Sequence, residues 1–378
     1  SPPAAPPVMG WSVLNEQPPI WMQPPSSLTD DDYARFYKGL TTSWSEHLAV
    51  KHFEVEGQIG MKGLLYIPKD APFDIFDQTA KGRGLRLYVR RVFVLDNCDD
   101  LCPEWLGFLR GLVDSDDLPL NVSREMLQQS SRLMRLLRKQ VVRKAIELLG
   151  ELSEDEAKYT PFYETHSKNL KLGVHEDEGN REKLAALLRF HSNKGEEVEG
   201  EARMTSLAEY LSRMAEGQSE IYYIAAESVD AARNSPFIEA FNGRGLEVLY
   251  MVDPIDEYML QSYSEHDGRR FVCITKEGVS LPPDSKNGSA SAATALEGDA
   301  KARMEALCGE MKRLLSDRVE KVVLSSRLAS SPCVLTTSEF GWSANMERIM
   351  RAQALRDAKA HQFMRSSRIL EINPEHPI

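Results

Sequence analysis

The sequence feature that most restricts the fold is a long, one-sided helical pattern entered through an abrupt polar junction. Met126, Leu133, Leu137, Val141, Ala145 and Leu148 recur at helical spacing and define one buried face. Arg132, Arg135, Arg138, Lys139, Arg143 and Lys144 make the remaining surface basic. A helix to about Leu152 with one apolar face must be packed against a neighbouring layer. Its entrance, Asp114 to Gln129, gathers acids, Pro119, a capping segment, Arg124 and two glutamines. Backbone N–H groups at a helix start favour anions, so an arginine held there can reach a phosphate. Gln128 follows Arg124 by one turn and shares its face. The other reading of Arg124 is an ion pair with Asp114, Asp116 or Asp117. The basic face is likewise either a solvated surface or a site for an anionic partner.

Around this helix the chain mixes both element types. The Thr29–Tyr37 stretch predicts a helix capped by Thr29, with Asp30 to Asp32 in its first turn. Extended segments are expected at His52–Gln58, Lys62–Ile67 and Leu85–Leu95, the last in a central position. Pro103–Val113 reads as a short helix, and Glu154 to about Asn193 as a helical region followed by a polar loop to Arg203. Helix Ser206–Glu216, strand Ile221–Ala226, helix Phe237–Asn242, strand Leu246–Met251, helix Ile255–Tyr263 and strand Phe271–Thr275 then alternate. That alternation implies a smaller α/β unit with a mainly parallel sheet. A last unit has helix Asp299–Leu315, strands Val319–Leu324 and Cys333–Thr337, and helix Ala344–Leu355, with no closing element expected before the end. The fold class is therefore α/β with α+β mixing. The expected divisions are a linker at 1–10, a large α/β subdomain at 11–152, a helical connector with a small α/β subdomain at 153–280, a linker at 281–298 and a partial α/β domain at 299–378.

Other chemistry is thin. Lys and Arg number 46 against 57 Asp and Glu, a net charge of -11, which argues against general nucleic-acid binding. No apolar run approaches bilayer length, and the Pro- and Ala-rich start lacks a signal peptide's basic and apolar regions. Five scattered cysteines fit a reducing compartment, and none sits in a zinc-ligand pattern. No P-loop, nucleophile elbow, zincin helix or EF-hand is present. His175-Glu176-Asp177 points three ligand types in different directions and reads as a helix boundary; no metal site is expected. Phe340, Trp342, Met346, Ile349 and Met350 form an apolar stripe, which is either core or an adaptable protein-binding surface.

Several long, irregular blocks carry a resemblance. Leu87 to Leu95, Val113 to Gln129, Lys171-Leu172-Gly173-Val174-His175-Glu176-Asp177 and Pro254-Ile255-Asp256-Glu257-Tyr258 resemble the heat-shock protein 90 chaperones. So do Phe340 to Met350 and Ala352 to Asp357. The resemblance covers nearly the whole chain and implies the end of a charged linker, a middle domain and the first part of a C-terminal domain, without the N-terminal nucleotide domain. It implies that Arg124 reaches the γ-phosphate of ATP bound in that other domain, with Gln128 supporting the loop and Asn121 lying in it. ATP and its magnesium would be held mainly by the N-terminal domain, so this fragment alone should not hydrolyse ATP. Client contact is implied for Trp21, Phe340, Trp342, Met346 and Met350, and co-chaperone docking for the basic middle-domain surface. A homodimer of the full-length protein and a cytoplasmic location follow from the same resemblance. Neither nucleic acid nor membrane is an expected partner. The rival reading is a non-catalytic protein-interaction scaffold with the same fold.

Overall fold

Three aspartates open the first helix, α1 (Asp30–Thr41), where their charge favours the helix N-terminus. Thr29 caps it as expected: its Oγ1 accepts from the Asp32 N–H at 3.4 Å, and the Asp32 carboxylate accepts from the Thr29 N–H and hydroxyl. Tyr33, Tyr37 and Leu40 turn inward from this helix and join Trp21, Leu64, Tyr66 and Leu112 in one core cluster. The computed structural model describes residues 18–41, 45–70, 84–96, 98–119, 131–195, 197–198, 201–279, 281–282, 299–339, 341–353 and 367–377. The chain divides into two compact units, Ser1–Asn169 and Leu170–Ile378.

The first unit is built on a five-stranded sheet. Its strands are β1 (His47–Val55), β2 (Met61–Pro68), β3 (Gly84–Val89), β4 (Val92–Leu95) and β5 (Arg110–Asp114), in the order β1-β2-β5-β3-β4. Two expectations are corrected here. Leu85–Leu95 is a hairpin, not one central strand: Arg90 and Arg91 take φ of 52° and 66°, which reverses the chain. Its apolar second half, β4, is the sheet edge, with Phe93 49% and Leu95 39% exposed. Pro103–Val113 is not a helix beyond one 3-10 turn at Glu104–Leu106; its end is the middle strand β5, parallel to β3 and antiparallel to β2. Gly111 makes that position possible. Its φ is +149°, and a Cβ there would stand 2.0 Å from the Leu64 carbonyl oxygen.

Two helices follow, α2 (Ser131–Ser153) and α3 (Glu156–Glu176). On α2, Met134, Leu137, Val141, Ala145, Leu148, Leu149 and Leu152 are buried. Arg132, Arg135, Arg138, Lys139 and Arg143 are exposed, so the one-sided pattern is realised. Met126 lies outside the described residues, and Leu133 is only half-buried.

In the second unit, α4 (Arg181–Ala185) leads into β6 (Arg189–Ser192), where helix had been expected to continue. The polar stretch after it holds a small hairpin, β7 (Glu197–Val198) with β8 (Glu201–Ala202). Strands β9 (Thr205–Ser206), β10 (Glu220–Ala225), β11 (Leu249–Met251), β12 (Glu265–His266) and β13 (Arg269–Cys273) complete a six-stranded sheet ordered β12-β13-β10-β11-β6-β9. Only its centre is parallel, β10 with β11 and β13; β12, β6 and β9 pair antiparallel, so the sheet is mixed. The connecting helices are α5 (Leu207–Ser212), α6 (Val229–Arg233), α7 (Glu239–Gly243) and α8 (Pro254–Ser262). A Ser206–Glu209 capping box fixes the start of α5.

Beyond the helix Asp299–Leu315 stands a three-stranded sheet of β14 (Lys321–Leu324), β15 (Cys333–Thr337) and β16 (Arg368–Ile372), ordered β14-β16-β15. The central strand is β16, which corrects the expectation of no element after the helix that ends at Gln353. Overall the described fold is mixed α/β, as the sequence reading expected.

Candidate functional site

The entrance to the basic helix is held from below by the sheet of the first unit. Strand β5 ends at Asp114, and Ser115, Asp116, Asp117, Leu118 and Pro119 lead away from it. Asp114 is buried and fully engaged. Its carboxylate accepts from Trp21 Nε1 at 2.9 Å and from the Arg91 N–H at 3.1 and 3.2 Å. Ser115 Oγ donates to the Gly60 carbonyl at 2.7 Å, and the Gly60 N–H returns a bond to Asp117 Oδ2 at 2.6 Å. Arg90 Nε donates to the Asp116 carbonyl at 3.1 Å. Leu118 is 1% exposed and anchors the loop in the core. Three neighbouring segments therefore pin the stem: the β1–β2 turn, the β3–β4 turn and Trp21.

Asn121, Arg124 and Gln128 lie outside the described residues. The stem still bears on them. Two of the three acids considered as partners for Arg124, Asp114 and Asp117, already accept bonds from Trp21, Arg91 and Gly60. The turn arginines Arg90 and Arg91 are exposed beside the stem and add positive charge there. Sequence reading missed them as part of the junction, because only the hairpin brings them to it.

The structure leaves little of Trp21, an expected client contact, at the surface. It is 8% exposed, with its ring against Tyr88 at 5.0 Å and Phe36 at 6.0 Å. The indole braces Asp114 through its Nε1–H. We expect Trp21→Phe to keep the packing but lose a hydrogen bond to a buried carboxylate, costing about 2 kcal/mol. Urea denaturation of the two proteins measures this, and equal midpoints would remove Trp21 from the stem.

The apolar stripe belongs to the second unit. Ser343 Oγ caps the helix Ala344–Gln353 by accepting from the Met346 N–H at 2.9 Å, and it donates to Glu257 on α8 at 2.7 Å. Asn345 Nδ2 also donates to Glu257, at 3.1 Å. Tyr258 OH donates to Met350 Sδ at 3.4 Å. Met346 is 3% and Ile349 8% exposed, so both pack inward from this helix. Trp342 and Met350 are half-buried, and Phe340 lies outside the described residues.

Two of the blocks that carried the resemblance meet in space. Lys171 Nζ stands 2.8 Å from Asp253 and 2.7 Å from Asp256, and 5.3 Å from the Phe190 ring centroid. Asp256 is fully buried; burial pushes its carboxyl up, and the Lys171 ammonium opposes that shift. The His175 block is a helix end. His175 Nδ1 lies 2.8 Å from Ser262 Oγ, and Asp177 accepts from the Asn180 N–H. Among the described residues, no group of three or more His, Cys, Asp or Glu is arranged to hold a metal ion. No described helix is long and apolar enough to cross a membrane.

Comparisons with known proteins identify the family. Residues 5–378 match the Hsp90 protein family model. The chain belongs to the Hsp90 family. It is 46% identical over 368 residues to heat shock protein 83 of Leishmania donovani, covering 97% of this chain and 79% of that protein. It is 44% identical over 372 residues to chloroplastic heat shock protein 90-5 of Arabidopsis thaliana, covering 97% of this chain and 46% of that protein. An endoplasmin homolog of the same plant is 39% identical over 398 residues, at 98% and 46% coverage. The chain thus spans under half the length of the two plant relatives. Among solved structures, the middle domain of a Plasmodium falciparum heat shock protein matches with a TM-score of 0.60 and 36% identity, covering 68% of this chain and 99% of that one. The described Hsp90 fold here therefore includes a middle domain.

Proposed function

We propose that this chain is the middle region and part of the C-terminal domain of an ATP-dependent chaperone, and that Arg124 completes a nucleotide site held by another domain. Family membership supports the chaperone reading. The observation that supports the role of Arg124 is the hydrogen-bonded stem before it, whose acids Asp114 and Asp117 are bound to Trp21, Arg91 and Gly60.

ATP, with its magnesium, supplies the transferable phosphoryl group when bound. In this reading Arg124 presents fixed positive charge where negative charge develops on the γ-phosphate oxygens. Gln128, four residues on in sequence, is proposed to support that arginine, and Asn121 the same loop. The general base and metal ligands would come from the nucleotide domain, so the chain alone should not turn over ATP. Trp342, Met350 and Phe340 are the proposed client contacts, with Met346 buried on the same helix as Met350. The exposed arginines of α2 are the proposed surface for an acidic co-chaperone, and the full-length protein is proposed to be a homodimer.

A cytosolic home is part of the same proposal, and the five free thiols are compatible with a reducing compartment. The alternative is a scaffold that keeps the fold and binds proteins without nucleotide chemistry. ATP turnover of the full-length protein carrying Arg124→Ala separates the two. A fall on the order of 100-fold is expected from losing a charged donor in the transition state. Unchanged turnover would leave the scaffold.

A further inference from the structure

Within the second unit, the six-stranded and three-stranded sheets are tied by several contacts, among them the Lys321–Glu277 ion pair, the Lys276 bond to the Glu339 carbonyl and three others. One is backbone pairing: the Glu277 N–H donates to the Thr337 carbonyl at 2.9 Å, and the Thr337 N–H to Thr275 at 3.3 Å. Another is Arg327, whose Nη1 donates to the Ile274 carbonyl at 2.7 Å. The third is a clasp made by one carboxylate. Glu239, at the start of α7, accepts from three successive backbone N–H groups, Ala329 at 3.4 Å, Ser330 at 2.9 Å and Ser331 at 3.2 Å. It also accepts from the Ser330 hydroxyl at 3.0 Å and the Ser331 hydroxyl at 2.7 Å. Successive N–H groups turned to one side form an anion-binding nest, and here the anion is the protein's own side chain. Burial works against the charge, but the donors from Ser331 and Ser330 outweigh it and bring the carboxyl down to about 2.

Such a clasp is strong toward acid and weak toward one chemical change. Both donors of Ser330 go to Glu239, and Ser330 is exposed, in the loop between Arg327 and β15. We propose that Ser330 is a phosphorylation site whose modification ejects Glu239 and loosens the three-stranded sheet from the six-stranded one. A protein kinase would form the bond from Ser330 Oγ to the γ-phosphorus of a nucleoside triphosphate. The bond from that phosphorus to the β-bridging oxygen breaks, the nucleoside diphosphate leaves, and the hydroxyl proton passes to the kinase's base. The product replaces a donor with a group of charge near -2, within about one hydrogen-bond length of a carboxylate. The like charges repel, and Glu239 leaves the nest with its three N–H groups open to water.

Hydrogen exchange at the Ala329, Ser330 and Ser331 amides reads the clasp directly. Ser330→Glu should speed exchange there by about tenfold or more, while Ser330→Ala should change it by less than about threefold. Adding Glu239→Gln to Ser330→Glu should remove most of the extra exchange, because repulsion needs both charges. The same speeding with and without Glu239, or none in either, would overturn the clasp. Mass spectrometry of the protein isolated from its own cells should find phosphate on Ser330. Its absence under every growth condition tried, stress included, would overturn the modification.

Discussion

Replacing Arg327 by alanine is expected to destabilise the second unit by about 3–5 kcal/mol, the usual cost of leaving a buried charge without its partner. Arg327 is 2% and Glu371 6% exposed. The guanidinium meets the carboxylate in a two-point pair through Nη2 and through Nε, the latter at 3.0 Å, and Ser325 Oγ donates to the same carboxylate at 2.9 Å. Its remaining surface lies 5.4 Å from the Phe237 ring centroid. Such a pair contributes little net stability over apolar residues of the same volume, but breaking one side is severe. The double variant Arg327→Ala with Glu371→Ala should therefore lose clearly less than the two single losses added together. Urea denaturation of the four proteins measures the cycle. A single-variant loss under about 1 kcal/mol would show that the pair is solvated and does not join β16 to the neighbouring sheet.

The second large effect is a pH dependence centred on His166. The imidazole is 1% exposed, 4.7 Å from the Phe108 ring and 5.2 Å from Phe162. Neither ring nitrogen has a hydrogen-bond partner among the described residues. Burial, followed by the positive charge of Arg110, lowers its pKa from 6.5 to about 4. In the unfolded chain the same imidazole takes a proton near pH 6.5. Between 6.5 and 4 the unfolded state thus binds more protons than the folded one, so stability rises with pH across that window. On acidification from pH 7 to 4 the group should withdraw about 3 kcal/mol from the first unit, and above pH 7 it should contribute no slope. His166→Phe fills the same aromatic site without a titrating group. The difference between the two proteins' denaturation curves should change by that amount over the window. Parallel pH profiles would show that His166 is already protonated or already solvated in the fold.

Much of the architecture could be read from local patterns, because it is locally determined. The Thr29 cap, the helix Asp299–Leu315 and the strand Cys333–Thr337 match the structure at or near their bounds. The α/β alternation from Glu220 to Cys273 also holds. The misses share a physical cause, since each depends on a distant partner. Arg90 and Arg91 carry none of the usual Gly or Asn turn signals, yet both adopt positive φ. Strand β5 carries Gly111 inside it, which local propensity penalises, and it exists because β2 and β3 pair with it on both sides. Strand β16 is only five residues long and is likewise paired on both edges. For the candidate site, sequence pattern identified the junction but not its stem. No spacing rule connects Trp21 to Asp114, which are 93 residues apart. Burial also redistributes the apolar stripe, since Met346 and Ile349 face inward while Trp342 and Met350 keep some surface.

The central claim is that Arg124 stabilises charge during phosphoryl transfer rather than holding the nucleotide or the fold. It is tested most directly by measuring ATP turnover and ATP affinity together in the full-length protein, for the parent, Arg124→Ala and Arg124→Lys. The account predicts that Arg124→Ala lowers turnover by about 100-fold with affinity changed less than about threefold, because the lost interaction belongs to the transition state. Lysine should recover part of the rate, keeping the charge but not the two-point geometry. Unchanged turnover, or a loss explained wholly by weaker ATP binding, would contradict it.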